Sequence, residues 1–281
     1  EVTWAKVNSN FGVSLSRRYM EDEYKKARER GGSTLANFQT KNLNMWVDAP
    51  EVWVADDDVQ ANNAPFDKDR LLGQDVYVGI DLASKNDLTA ISLFFPKFSV
   101  VTFLFTVPES KVLDDAGRKD IVDYRRWVEQ GWITVCPGKV LDEEWWMKQL
   151  FLTLAPYKVR CIAYDPWGMW DLKQKFGKYE DTLLEYRQDI RHMSVPTKDL
   201  GSRLLGHRLN FLGNPVIRWN LKNVVIYTDP NGNIKLDKAR SRNKIDGVVA
   251  LVDAIGGYLN RESSNTGEIY TSHSLRVIGK K

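Results

Sequence analysis

Three β-rich segments follow one another almost without interruption between residues 76 and 107. They read VYVGIDL, DLTAISLFF and SVVTFLFTV. Because strands with such short connections pair with their chain neighbours, the sequence predicts an antiparallel meander. The apolar run at residues 88–107 also suggests a membrane span. However, Pro96 and Lys97 stand in its middle, so two strands joined by a turn explain it better.

After the meander, helical and β patterns alternate. Helices are predicted at residues 118–129, 142–154, 182–186, 202–211 and 245–260, and strands at residues 132–135, 159–165 and 192–195. The segment VVIYTDPNGNIKLD predicts a hairpin with its turn at residues 229–233. A meander followed by β-α-β units and a closing helix gives an α/β fold, a mixed sheet with helices on both faces. That order is typical of a ribonuclease-H-like domain.

The first 70 residues have a different character. Ser16 is placed to cap a helix that runs to Arg30, and a second helix is predicted at residues 34–46. A polar stretch follows at residues 48–69. We therefore predict a helical arm and connector at residues 1–70, the ribonuclease-H-like domain at residues 71–261, and a mobile Ser/Thr-rich tail at residues 262–281.

Composition narrows the class of protein. The chain has 281 residues, 43% apolar and 27% charged, which is typical of a globular protein and excludes a disordered or collagenous one. The two cysteines, Cys136 and Cys161, are too few for a disulfide framework, which suits a protein of a reducing compartment. Both are predicted to lie in the core. The net charge is +3, so any nucleic-acid surface must be local. The first residues contain no secretory signal and no initiator Met, which predicts a fragment or a processed chain.

Three aspartates lie at the ends of predicted elements. Asp81 lies in the first strand, Asp165 ends the strand VRCIAYD, and Asp246 lies in the first turn of the last helix. Singly, each has an ordinary structural explanation, such as a backbone hydrogen bond or a helix cap. Together they would repel one another unless a cation neutralised them. Oxygen ligands suit Mg²⁺ or Mn²⁺, and two ions about 4 Å apart would hydrolyse a phosphodiester.

Other charged and aromatic residues flank these acids. Asp87 and Asp253 are nearby acids, and neither is expected to be a primary ligand. A basic run precedes Asp246 and is interrupted by one acid, Asp237. This run either forms a solvent-exposed loop or binds the phosphate backbone of a nucleic acid. The residues proposed to bind DNA are Lys235, Lys238, Arg240, Arg242 and Lys244. Weaker DNA-binding candidates are Arg203, His207 and Arg208. Core and rim packing is expected for Trp145, Trp146, Trp167 and Trp170.

The segments around these residues resemble those of a known protein family. The segments VGIDLASKNDLTAISLFFP, CIAYDPWG and NKIDGVVALVDAIGGYL resemble the three nuclease motifs of the large terminase subunit of tailed bacteriophages. The segments NSNFGVSLSRRYMEDEYKKA and FQTKNLNMWVDA resemble the link between its ATPase and nuclease domains. The likeness covers nearly the whole chain in the same order and is strongest for the cos-cutting, lambda-like branch.

The resemblance implies a subunit of a DNA-packaging motor. Asp81, Asp165 and Asp246 would be catalytic acids that bind two Mg²⁺ or Mn²⁺ ions, and the hairpin with its basic loop would lie near the DNA path. No G-x-x-x-x-G-K-[ST] motif occurs, so the chain is expected to be the nuclease half without ATPase activity. The implied partners are double-stranded DNA, the ATPase domain, the small terminase subunit and the portal, in the host cytoplasm and without a membrane.

Three alternatives stay open. The segment VGIDLASKNDLTAI also resembles the first phosphate hairpin of actin-like ATPases and sugar kinases, but Pro-Trp-Gly-Met-Trp after Asp165 does not fit their second phosphate loop. A resolvase or transposase shares the fold, although the long arm favours a terminase. The third alternative is a non-catalytic DNA-binding or portal-docking module in which the acids are structural.

Other catalytic motifs are missing from the sequence. The three histidines, His192, His207 and His273, have no metal-binding spacing, and no G-x-S-x-G motif occurs.

Overall fold

The computed structural model describes most of the chain. The described residues are 2–8, 10–30, 38–39, 41–45, 53–82, 87–113, 124–169, 175–241 and 243–266. Six of the thirteen residues of the helix predicted at 34–46 lie outside them, and residues 38–39 and 41–43 of that segment are helical. Residues 267–281 of the predicted tail also lie outside the described residues. None of the helices in these parts is both long and apolar enough to cross a bilayer.

A mixed sheet of six strands forms the centre of the molecule, in the order β4-β3-β2-β1-β5-β6. The strands are β1 (Asp75–Asp81), β2 (Thr89–Phe95), β3 (Val100–Pro108), β4 (Ile133–Cys136), β5 (Lys158–Tyr164) and β6 (Leu183–Glu185). The first three strands pair antiparallel, which confirms the predicted meander. The remaining pairs, β3–β4, β1–β5 and β5–β6, are parallel. A separate two-stranded hairpin consists of β7 (Ile226–Thr228) and β8 (Ile234–Leu236).

Helices cover both faces of the sheet. They are α1 (Val2–Val7), α2 (Arg17–Arg30), α3 (Asp56–Ala61), α4 (Glu109–Leu113), α5 (Tyr124–Glu129), α6 (Glu143–Leu154), α7 (Pro166–Met169), α8 (Ile190–Leu205), α9 (Pro215–Asn223) and α10 (Asp246–Thr266). Short 3-10 helices lie at Lys68–Leu71 and Gly177–Thr182. Side chains from α8, α9 and α10 share one core with β2 and β3. Side chains from α6 form the second core against β1, β2 and β5.

Helix α10 lies directly on the backbone of β1. A Cβ atom at Gly79 would stand 1.8 Å from the carbonyl oxygen of Ala250 and 2.6 Å from the amide nitrogen of Ala254. Only glycine allows so close an approach. Because side chains alternate along a strand, Asp81 points to the same face as Gly79. This contact therefore presses α10 onto the sheet face that carries Asp81.

The connector packs against the domain. Asp56 at the start of α3 receives hydrogen bonds of 2.8 and 2.6 Å from the Arg218 guanidinium, and Lys222 lies 3.1 Å away. These contacts, the hydrogen bond from Arg218 above all, hold the pKa of Asp56 well below its usual value. The buried Asn62 side chain donates to the Leu204 carbonyl at 2.9 Å and accepts from the Leu209 amide at 2.9 Å. The domain division at residues 70 and 71 stays a prediction.

Two predicted regions differ from the structure. Residues 183–185 form β6, not part of a helix. The strand predicted at residues 192–195 and the helix predicted at residues 202–211 are replaced by the single helix α8, which contains Pro196. Proline lacks the N–H that would bond to the carbonyl of residue 192. The Tyr186 hydroxyl donates to that carbonyl at 2.7 Å, so the helix continues through the proline. Helix α9 was not predicted at all.

The helix termini agree better with the sequence. Ser16 accepts a hydrogen bond from the Tyr19 amide at 3.2 Å, which confirms the predicted cap of α2. The Asp229 side chain accepts from the amides of Asn231 and Asn233 at 2.9 and 2.8 Å, which stabilises the predicted hairpin turn. Helix α10 runs to Thr266, six residues beyond its predicted end, so the first residues of the predicted tail are helical.

Candidate metal centre

Parallel pairing of β1 and β5 brings two of the predicted acids side by side. Ile80 pairs with Tyr164, and Asp81 and Asp165 are the next residue of each strand. Neighbouring strands lie about 4.8 Å apart, so the two acids share one edge of the sheet. This is the carboxyl end of both strands, where ligand sites of α/β sheets gather. Asp81 is buried with 3% of its surface exposed.

Helix α10 carries two further acids to the same place. Asp246 begins the helix and Asp253 follows two turns later on the same side, about 10 Å along the axis. Both are buried. Asp253 directly precedes Ala254, which touches Gly79 of β1. Asp253 therefore belongs to the cluster, although the sequence analysis did not expect it as a primary ligand. Its seven-residue spacing from Asp246 was the available signal.

Gln188, between β6 and α8, bridges the strand and helix acids. Its amide nitrogen lies 3.4 Å from Asp81 Oδ1 and 3.2 Å from Asp253 Oδ2. Gln188 was not predicted as a site residue, because it stands in an irregular segment without a motif. Its position shows that Asp81 and Asp253 are within reach of one side chain.

Lys238, in the loop after β8, reaches the same acids from the hairpin side. Its ammonium group donates to both carboxylate oxygens of Asp81 at 2.7 Å. Burial alone would lower the pKa of Lys238, but attraction to Asp81, and to Asp246 and Asp253 beyond it, outweighs burial and raises that pKa.

The helix acids are poorly neutralised. Burial, and after it the negative charge of Asp81, raises the pKa of Asp246 to about 7. The same two causes raise the pKa of Asp253 well above its usual value, and Asp165 adds to them. Such a group of buried carboxylates is unstable when ionised unless a cation joins it.

Two buried carboxylate oxygens without hydrogen-bond partners indicate a binding site for a cation. Asp246 Oδ2 and Asp253 Oδ1 receive no hydrogen bond from any described residue. An orphaned buried oxygen is costly, and carboxylate oxygens are the ligands that Mg²⁺ and Mn²⁺ prefer. The residues therefore fit a divalent metal ion. Within the described ranges, however, no three acidic, imidazole or thiol groups are close enough together to chelate one ion as they stand.

Asp87 has a different role. It lies before β2, where Lys111 stands 3.3 Å from Oδ1 and Lys244 pairs with Oδ2. Burial would raise the pKa of Asp87, but the hydrogen bond from Lys244 and the nearby positive charges lower it overall. Its charge is already balanced by these two lysines. The expectation that Asp87 is not a primary ligand stays a prediction.

The basic run divides into different environments. Lys238 and Lys244 pair with Asp81 and Asp87, as described above. Arg240 pairs with Asp237 of its own loop at 2.7 Å. Lys235 lines the cleft beside Asp165, and Arg242 lies outside the described residues. The weaker candidates Arg203, His207 and Arg208 lie at or beyond the C-terminal end of α8, a helix about 24 Å long.

A cleft of about 790 Å³ opens beside Asp165. Its lining residues are Asp165, Pro166, Trp167, Arg187, Gln188, Asp189 and Lys235. The Trp167 side chain is 93% exposed, so its predicted packing role is wrong. Trp146 is buried and Trp145 packs against the same core, as predicted, and Trp170 lies outside the described residues. The exposed indole lines the same cleft as the basic residues Arg187 and Lys235.

Both cysteines are buried and free, which confirms the prediction that they belong to the core. Burial raises the pKa of the Cys161 thiol to about 11. A thiol so reluctant to ionise is a poor metal ligand and a poor nucleophile.

The sheet order and the clustered acids define the class of protein. Three antiparallel strands, parallel strands on either side and a closing helix on the sheet face make a ribonuclease-H-like domain, as predicted. The chain belongs to the family described as terminase large subunit, endonuclease domain, whose model matches residues 1–262. The family resemblance seen in the sequence is thus confirmed.

Individual relatives agree with the family. Protein YmfN of Escherichia coli K12 is 28% identical over 293 residues, covering 97% of this chain. The large terminase subunit of Enterobacteria phage HK97 is 26% identical over 285 residues, covering 98% of this chain. The chain spans 63% and 55% of the lengths of these two relatives. It also resembles the crystal structure of the HK97 large terminase, with a TM-score of 0.64, 25% identity and coverage of 91% of this chain and 53% of that one.

Proposed function

We propose that the chain is a metal-dependent DNA endonuclease that cuts concatemeric viral DNA during genome packaging. The observation that carries the proposal is the convergence of Asp81, Asp246 and Asp253 at the sheet edge beside Asp165, with two carboxylate oxygens left unpartnered. The family to which the chain belongs is described as an endonuclease domain of the terminase large subunit, which supports the proposal. In the whole protein, we propose an ATPase domain, a small terminase subunit and a portal as partners, in the host cytoplasm.

The four acids are proposed to have different roles, according to their positions in the site. Asp81, Asp165 and Asp246 would hold two Mg²⁺ or Mn²⁺ ions, and the buried Asp253 would supply further negative charge. Bound divalent ions activate water and stabilise the leaving oxygen of a phosphodiester. Burial of the acids keeps bulk water away, and Gln188 holds Asp81 and Asp253 in fixed orientations. Lys235 and Arg187 line the adjacent cleft, where they could bind phosphates of the backbone.

A non-catalytic module with structural acids is the other candidate. The ion pair between Lys238 and Asp81 favours it, because paired buried charges commonly stabilise a fold. A purely structural network would also pair the buried oxygens of Asp246 and Asp253, and these lack partners among the described residues. We therefore favour the nuclease.

Incubation of the purified chain with supercoiled plasmid tests the proposal. Nicked and then linear DNA should form with Mg²⁺ or Mn²⁺, and EDTA should stop both reactions. Cleavage that continues at full rate in EDTA would identify a contaminant or a metal-free mechanism. A well-folded chain that binds neither ion and cuts no DNA would favour the non-catalytic module.

Trp167→Ala should weaken binding of DNA about tenfold, because covering an exposed indole on binding contributes on the order of 1–2 kcal/mol. Binding is measured by fluorescence anisotropy of a labelled duplex with Ca²⁺ replacing the catalytic ion. Leu152→Ala is the matched control, since Leu152 is an exposed apolar residue on α6, on the opposite face of the sheet. Trp167→Phe should retain most of the affinity. Equal binding by all variants would remove Trp167 from the DNA surface.

A further inference from the structure

Lys238 occupies a position that the proposed mechanism leaves without a role. It stands two residues after β8, and its ammonium group contacts both oxygens of Asp81. Asp246 and Asp253 also attract it. The ammonium thus sits within the acid cluster and is the only described cation that donates hydrogen bonds to Asp81.

We propose that Lys238 is a built-in counter-ion, which holds the acid cluster together without metal and competes with divalent ions for Asp81. This inference rests on the proposed metal centre and adds a residue that sets its affinity. An ion bound to Asp81 would lie about 2.1 Å from a carboxylate oxygen, which is closer than the present ammonium contact of 2.7 Å. A divalent ion and the ammonium repel each other when both are bound to the oxygens of Asp81, so each weakens the binding of the other.

The surrounding structure allows the side chain to leave while its backbone stays in place. The preceding residue, Asp237, donates its amide to the Val225 carbonyl at 2.8 Å, and Leu236 is buried. On the hairpin, the Ile234 amide donates to Ser194 of α8 at 3.2 Å. The Lys238 side chain is nevertheless 43% exposed. Rotation about its own bonds therefore suffices to release the ammonium toward solvent.

Release gives the ammonium a second use. The cleft beside Asp165 already carries Lys235 from the same hairpin. An ammonium displaced from Asp81 becomes free to contact a DNA phosphate close to the acids. Metal loading and capture of the DNA backbone would then be coupled through one side chain.

Mn²⁺ binding by the intact chain tests the inference without relying on cleavage. Free Mn²⁺ is measured by electron paramagnetic resonance during titration of wild type, Lys238→Met, Lys238→Arg and the control Lys97→Met. Lys238→Met keeps the length of the side chain and removes the competing charge, so Mn²⁺ should bind about tenfold more tightly or better. Lys238→Arg should bind Mn²⁺ several-fold more weakly, because a guanidinium grips a carboxylate with two parallel hydrogen bonds. Lys97→Met, in the turn between β2 and β3 at the opposite end of the sheet from Asp81, should bind as wild type does.

Thermal unfolding provides a second readout. In EDTA, Lys238→Met should unfold at a lower temperature than wild type, because its acids lose their cation, and Mn²⁺ should raise its melting temperature more than that of wild type. If Lys238→Met does not fold, the weaker binding by Lys238→Arg decides the question. Equal or weaker Mn²⁺ binding by Lys238→Met, or unchanged binding by Lys238→Arg, overturns the counter-ion but leaves the metal centre intact. Absence of Mn²⁺ binding in wild type and variants alike overturns both.

Discussion

Replacement of Asp81 by asparagine should lower metal-dependent plasmid cleavage by about a thousandfold or more, with the chain still folded. Asp81 is the acid on which Gln188 and Lys238 both converge, and both its oxygens are engaged. Asparagine has nearly the same shape but only one oxygen and no charge, so it holds divalent ions poorly. A thousandfold loss corresponds to about 4 kcal/mol of transition-state stabilisation, which is in the range that metal ions supply. Single-turnover cleavage in Mn²⁺ measures it.

The same strand provides a matched control. Asp75 lies at the other end of β1 and forms an exposed ion pair with Arg160 at 3.0 Å. Asp75→Asn should leave the cleavage rate within about twofold, since exposed ion pairs contribute little. Equal activity of Asp75→Asn and Asp81→Asn would show that Asp81 is structural. Loss of folding in Asp81→Asn alone, seen by circular dichroism, would make its inactivity uninformative, and Asp165→Asn would then test the site.

Much of the site could be predicted because its residues lie at the ends of regular elements. Asp81 and Asp165 end two strands, and parallel strands that pair must end at the same edge of the sheet. The short connections of the meander determined its pairing before any long-range contact was known. These features depend on local periodicity, which a single sequence displays directly.

What the sequence could not predict depends on contacts between distant residues. Pro196 favours a break in the helix, whereas in the structure the Tyr186 hydroxyl donates to the carbonyl that the proline leaves without its helical partner. Gln188 has no motif, and its role follows from the packing of the segment after β6 against α10. Lys238 was expected to bind DNA along with its basic neighbours, whereas its ammonium turns inward to Asp81. No local pattern distinguishes an inward lysine from an outward one.

Asp253→Asn should change stability and activity in opposite directions. Burial and the neighbouring Asp81 raise the pKa of Asp253, so the folded chain holds this proton more tightly than the unfolded chain does. The stabilisation is complete below the usual aspartate pKa of about 4 and is lost as the pH rises through the folded pKa. Asp246, with its pKa near 7, adds a loss between about pH 4 and pH 7. Metal-free wild type should therefore lose stability between pH 5 and pH 8.

Asparagine removes the charge without leaving a cavity. In EDTA at pH 8, Asp253→Asn should increase the free energy of unfolding by about 2 kcal/mol, with a smaller increase at pH 5. Urea denaturation at the two pH values measures both. Asp75→Asn, which removes an exposed charge, should change the value by less than about 0.5 kcal/mol. A variant less stable than wild type at pH 8 would show that the Asp253 charge is balanced in the fold.

The change in stability on metal binding distinguishes a metal-binding acid from an acid that is buried without a function. If Asp253 helps to hold the ions, saturating Mn²⁺ should stabilise wild type more than Asp253→Asn, because a ligand stabilises a fold according to its affinity. Cleavage by the variant should fall at least about tenfold. Equal stabilisation of both proteins by Mn²⁺ would place Asp253 outside the metal centre. If Asp253 destabilises the metal-free protein and bound metal reverses that effect, folding alone does not explain an acid at this position. An apolar or amide side chain would stabilise the core better.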